Sequence, residues 1–317
     1  MKGFSLDALS ERTRHFLQLL GWTVLWILAF TGIMISFGAN WETPNDPPAP
    51  TVAQQAQLDV SRSADQIARS TTALANQDPK YKQIAEHSEK WKQAVGGLWT
   101  PWPQGAPKGK TNPTVAPLLT QPQEIVDALR KLSDQAGKAV TDSPANGAVY
   151  FAISVRSALD AQQIAAATGS KFEPFPAPTP ETIAKIATPL AHNNKLSSIV
   201  AARQSFEIQI GQNNSGKSNT GVSAVVKNRM TLIDALENAT QKAASTDEKN
   251  ATRDVALPVL KGPLPQTAYE ELIRACGDAH APGIESRNFI LHLFCDEAER
   301  SAMPAMPGIK DFVQAKK

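Results

Sequence analysis

Apolar residues fall along this chain in three patterns. From Phe16 to Gly38 they run almost unbroken: FLQLLGWTVLWILAFTGIMISFG holds no charged residue, and Gln18 is its one strongly polar side chain. A bilayer core is crossed by about 20 mostly apolar residues in helical form, so this stretch predicts a transmembrane helix over 16–38. Beyond it, apolar positions recur at helical spacing. Ala53, Val60, Ala64, Ile67, Thr71 and Leu74 step largely by threes and fours, as one face of an amphipathic helix does. Asp78-Pro79 supplies an N-cap and a first-turn proline for a second helix, lined by Tyr81, Ile84, Trp91 and Val95 and stopped at Gly96-Gly97. Residues 51–97 therefore read as a helical hairpin.

Later helices carry the same signature. Ile125, Leu129, Leu132 and Ala136 share a face, and Gly169 stops a helix that runs to Thr168. Thr179-Pro180 opens another. Thr231 with Asp234 resembles a capping box before Leu232, Ile233 and Leu236. Tyr269, Leu272, Ile273 and Cys276 mark a helix ended by Gly277.

The third pattern is strand-like. Ala148–Val155 (AVYFAISV) is apolar and rich in β-branched and aromatic residues, and it follows Asn146-Gly147. Phe206–Ile210 (FEIQI) alternates apolar and polar, with Val222–Val226 as a hairpin partner. Phe289–Glu297 (FILHLFCDE) reads as an apolar strand ending in acids. The expected fold is α+β, mostly α: a transmembrane helix, a membrane-proximal helical hairpin, then a mixed domain with a small antiparallel sheet. Proline-rich stretches supply the boundaries. They give a tail over 1–15, the span over 16–38, a linker over 39–50, the hairpin over 51–97, an irregular segment over 98–122 and a domain over 123–317.

Charge orients the span. Lys2, Arg12 and Arg14 precede it, Glu42 and Asp46 follow it, and no further Lys or Arg occurs until Arg62. Lys and Arg mark the cytoplasmic side, so the tail is expected in the cytoplasm and the bulk in the periplasm, anchored in a bacterial inner membrane. A cleaved signal peptide is the rival reading, disfavoured by the length of the run and the poor cleavage sites. Gly32 and Ser36 form a small-xxx-small pair suited to close helix approach and self-association. The net charge of +2 implies no nucleic-acid or other polyanionic partner. On this topology Cys276 and Cys295, the only two cysteines, are expected to form a disulfide.

One motif carries candidate chemistry. Gly211 to Ser218 (GQNNSGKS) fits G-x-x-x-x-G-K-[ST], with Gly211, Gly216, Lys217 and Ser218 at the fixed positions. Such a loop cradles phosphates with backbone N–H groups. Asp296 and Glu297, at the end of the downstream apolar run, are placed to bind Mg²⁺ and orient a water. The two segments together resemble the Walker A and Walker B pair of P-loop ATPases. Three features weigh against a nucleotide site. The expected topology puts the loop outside. Asn219-Thr220-Gly221 and a β-branched run follow Lys217 where a helix is needed. Too few residues separate the motifs for a doubly wound sheet. A polar hairpin loop is the preferred reading.

Other chemistry is sparse. Asp278 and His280 share a short loop beside Cys276, with His292 downstream, but no zinc spacing, G-x-S-x-G or H-E-x-x-H occurs. No cofactor, metal or catalytic set is expected. The leading expectation is a membrane-anchored assembly subunit of an envelope complex (secretion, conjugation, pilus or respiratory type). It would bind other envelope proteins and self-associate through the span and 51–97. The alternatives are a tethered P-loop nucleotide-binding protein and an exported ligand-binding or enzymatic domain around Cys276–Cys295.

Overall fold

In the computed structural model the described residues are 11–36, 49–102, 105–106, 108–214, 223–251 and 266–305. Every regular element among them is a helix. The chain divides into two compact units, Met1–Ala49 with Pro101–Asn112, and Pro50–Thr100 with Pro113–Lys317.

The first unit contains α1 (Glu11–Ser36), a helix of 26 residues. Its second segment is tied by Asn112, whose side chain accepts from the Trp102 N–H at 3.1 Å and donates to the Trp102 carbonyl at 2.8 Å. Among the described residues no helix is long and apolar enough to cross a membrane. This corrects the anchor over 16–38, with the bilayer contact, inner-membrane location and periplasmic placement drawn from it. The side chains of α1 are described at His15 and over 19–31. The surroundings of Gly32 and Ser36 lie outside the described residues.

The second unit contains α2 (Val52–Ala75), α3 (Lys82–Ala94), α4 (Pro122–Asp142), α5 (Gly147–Thr168), α6 (Pro180–His192), α7 (Leu196–Asn214), α8 (Ala224–Ala243), α9 (Thr246–Ala251), α10 (Gln266–Asp278), α11 (Gly283–Leu291) and α12 (Glu297–Ala302). Local chemistry sets many of their ends. Thr51 caps α2 in a reciprocal box with Gln54. Thr179 accepts from the Thr182 N–H, and Pro180 occupies the first turn of α6. At the end of α5, Gly169 takes φ 66°, the left-handed conformation that glycine adopts without a Cβ penalty.

Helix α5 is the axis of this unit. Every residue from Gly147 to Ala161 is buried, with α3, α4, α10 and α11 packed around it. This corrects the strand expected at Ala148–Val155. A helix enclosed on all sides is apolar all round, and a short apolar run of that kind reads the same as a buried strand. Small residues permit the close crossings. A Cβ on Gly277 of α10 would lie 2.3 Å from the Ala148 Cα, and one on Gly283 of α11 would lie 2.1 Å from the Gly137 carbonyl oxygen of α4. Between α4 and α5, the Ser133 hydroxyl donates to the Ser154 carbonyl at 2.6 Å and Ser154 returns the bond at 2.7 Å.

The small antiparallel sheet is corrected as a whole. FEIQI belongs to α7, where Ala202, Ser205, Phe206 and Gln209 are the buried positions, a helical spacing. Of Val222–Val226, residues 224–226 open α8, which is capped by Ser223, and Thr231 lies inside that helix. Phe289–Leu291 finish α11. The α2 stripe predicted for self-association (Val60, Ala64, Ile67, Thr71) is buried within the chain, where α2 meets α3 and α4.

Candidate functional site

Three buried arginines organise the polar interior of the second unit. Arg229 of α8 donates through Nη2 to both oxygens of the Glu299 carboxylate, at 2.6 and 2.5 Å. Its Nε donates to the Leu293 carbonyl at 2.8 Å and its Nη1 to Gln209 at 3.1 Å. The Cys295 N–H donates to the same carboxylate at 2.9 Å, and the Tyr269 hydroxyl lies 2.9 Å from it. Tyr269 stacks on Phe294 at 4.0 Å between ring centres and meets Phe206 edge-on. Burial holds the Tyr269 hydroxyl well above its ordinary pKa. Burial pushes Arg229 the other way, but Tyr269 and Glu299 beside it outweigh that, and its pKa is raised.

The second arginine, Arg156 of α5, grips Asp160 one turn on, through Nε at 3.0 Å and Nη2 at 2.5 Å. The other Asp160 oxygen lies 2.7 Å from His87 Nδ1 of α3. Burial acts to raise the Asp160 pKa. The Arg156 charge and the His87 hydrogen bond overcome it, and the carboxyl is held below its usual range. The free face of Arg156 donates to the carbonyls of Arg300 and Met303, and Trp91 Nε1 donates to the Ala305 carbonyl at 2.8 Å. These bonds fix residues 300–305 against α3 and α5. The third, Arg287 of α11, pairs with Asp134 at 2.6 Å and donates to the Ser133 hydroxyl. Burial lowers its pKa.

Each of these arginines is spent on acceptors of its own chain. At Arg156 and Arg229 an anion would have to displace a carboxylate held by two contacts, and Arg287 divides its donors among Asp134, Ser133 and the Asn288 amide oxygen, so the clusters act as internal clamps. Sequence reasoning missed all three, because arginine reads as surface. The one available signal was Arg156 with Asp160 four residues later inside an apolar run.

The residues singled out from the sequence are dispersed. Gly211 lies in α7, with a helix before it where a phosphate loop follows a strand. Gly216, Lys217 and Ser218 lie outside the described residues. Asp296 caps α12 by accepting from the Glu299 N–H at 2.9 Å, and Glu297 accepts from Gln163 at 2.9 Å. Asp278 pairs with Lys195 at 3.0 Å, not with His280, while His292 Nδ1 contacts the Asn288 carbonyl at 2.9 Å. His280 adopts φ 52° at the turn after α10.

The expected disulfide is also corrected: Cys276 and Cys295 are free thiols. Cys276 is buried in α10 beside the Ser286 hydroxyl, and burial pushes its thiol up to about 12. Cys295 sits in the turn before α12, next to the Arg229 cluster. Each sulfur thus belongs to a different local environment.

Among the described residues no group of three or more His, Cys, Asp or Glu side chains is arranged to hold a metal ion. Two shallow grooves mark the surface. One, of about 520 Å³, is lined by Gln162, Ala165, Ser170, Phe172, Pro174 and Arg300. The other, of about 490 Å³, runs between α2 and α4 beside Asp59, Lys138 and Asp142. Neither gathers a nucleophile, a base and an oxyanion donor.

The unusual surface is α1. Leu19, Leu20, Trp22, Val24, Leu25, Trp26, Ile27, Leu28 and Phe30 are all exposed, Trp26 by 71% and Leu19 by 68%. Monomeric soluble proteins rarely expose contiguous apolar surface on this scale. No protein-family model matches the chain, and neither the curated proteins nor the solved structures include a detectable relative.

Proposed function

We propose that the chain is a structural or assembly component of a multiprotein complex and works by protein–protein binding, with α1 as its docking helix. The observation that supports this is the exposure of nine large apolar side chains on one helix, Leu19 to Phe30. Covering them is worth on the order of 10 kcal/mol in apolar transfer, comparable to the 4–15 kcal/mol lost in association. The second unit adds exposed Leu98, Trp99, Val115 and Leu118, while its polar interior is committed to holding helices together.

The test compares the full chain with a variant carrying Leu19→Gln, Trp22→Gln, Trp26→Gln and Phe30→Gln, by size exclusion with light scattering and native mass spectrometry after purification from its host. A complex of fixed stoichiometry with the parent chain, absent with the variant at unchanged helicity, is the expected result. A parent chain that purifies as a monodisperse monomer overturns the proposal. So does one recovered only in flotation with phosphatidylglycerol–phosphatidylethanolamine vesicles.

A further inference from the structure

We draw no further inference here: the strongest candidate, the groove of about 520 Å³ between the C-terminal turns of α5 and α12, in which Gln162 Oε1 and Arg300 Nε are buried without a hydrogen-bond partner among the described residues, carries nothing because that acceptor and that donor suit each other as well as they suit a ligand, and nothing in the structure shows what covers them.

Discussion

The Arg229–Glu299 pair offers the most exacting test of how the helices of the second unit are held. Arg229 is 2% exposed and Glu299 5%, so neither charge has water to fall back on. Replacing Arg229 by Met keeps the chain length but removes the cation. The carboxylate then retains the Cys295 N–H and the Tyr269 hydroxyl, whose one proton also faces the Leu293 carbonyl, and the guanidinium's bonds to Leu293 and Gln209 are lost. Breaking a buried ion pair from one side costs about 3–5 kcal/mol, a large share of the 5–15 kcal/mol that holds a typical protein folded. Glu299→Leu strands the guanidinium in the same way, although Leu293 and Gln209 still accept from it, so a loss near the lower end is expected. The double variant Arg229→Met with Glu299→Leu leaves no buried charge. Its main residual defect is the Cys295 N–H, worth about 1–3 kcal/mol. It is therefore expected to be more stable than Arg229→Met alone. Urea unfolding at pH 7, followed by far-UV circular dichroism of the four proteins, closes the cycle. If the two single losses add to the double loss within about 0.5 kcal/mol, the groups behave as independent sites and the clamp does not exist.

Three further outcomes follow from the packing and the titrating groups. Gly283→Ala puts a Cβ 2.1 Å from a backbone oxygen of α4, which cannot rotate away. A loss of about 1–3 kcal/mol or more is expected, whereas Gly211→Ala, with nothing within 4 Å, is expected to gain up to about 1 kcal/mol from helix propensity. Equal effects of the two in urea titration would refute the close crossing. Asp160 has a lowered folded pKa, so its contribution is present above the unfolded value of about 3.9 and is lost as pH falls through the folded one. The urea midpoint of the parent should drop below about pH 4, and a drop equally steep in Asp160→Asn would assign the acid sensitivity elsewhere. The Cys276 thiol, pushed up to about 12, is about one part in 10⁴ thiolate at pH 8. Iodoacetamide with mass mapping should label it only after unfolding and without prior reduction; a requirement for reductant would restore the disulfide.

What the sequence made legible is local. The Asp78-Pro79 start, the Thr179-Pro180 start and the Gly169 stop each depend on a few adjacent residues, and the structure has them at those positions. What it hid depends on where a segment sits. Ala148–Val155 lacks periodicity because α5 is surrounded, and lack of periodicity removes the evidence that separates helix from strand. In α7 the misleading signal ran the other way. Phe206, Ile208 and Ile210 alternate, while the residues that turn inward include Ser205 and Gln209, whose polarity masks a helical stripe. The disulfide expectation rested on topology alone and carried no information about the Ser286 environment of Cys276. The phosphate-loop match likewise fixed residue types without fixing the strand that must precede them.

These failures have one physical origin. Hydrophobicity along a sequence marks what has to be covered, and is silent on what covers it. In the second unit the cover is the chain itself, and it includes Arg156, Arg229 and Arg287, which composition assigns to the surface but which enter the core because each brings its own acceptors. In α1 the order is inverted: an apolar helix exposes nine large apolar side chains. A buried arginine and an exposed tryptophan are the same kind of anomaly, each lying where its polarity does not belong. For the arginines the partners are Asp160, Glu299 and Asp134. Trp22 and Trp26 are 65% and 71% exposed, and that exposure is what the proposed docking role of α1 rests on.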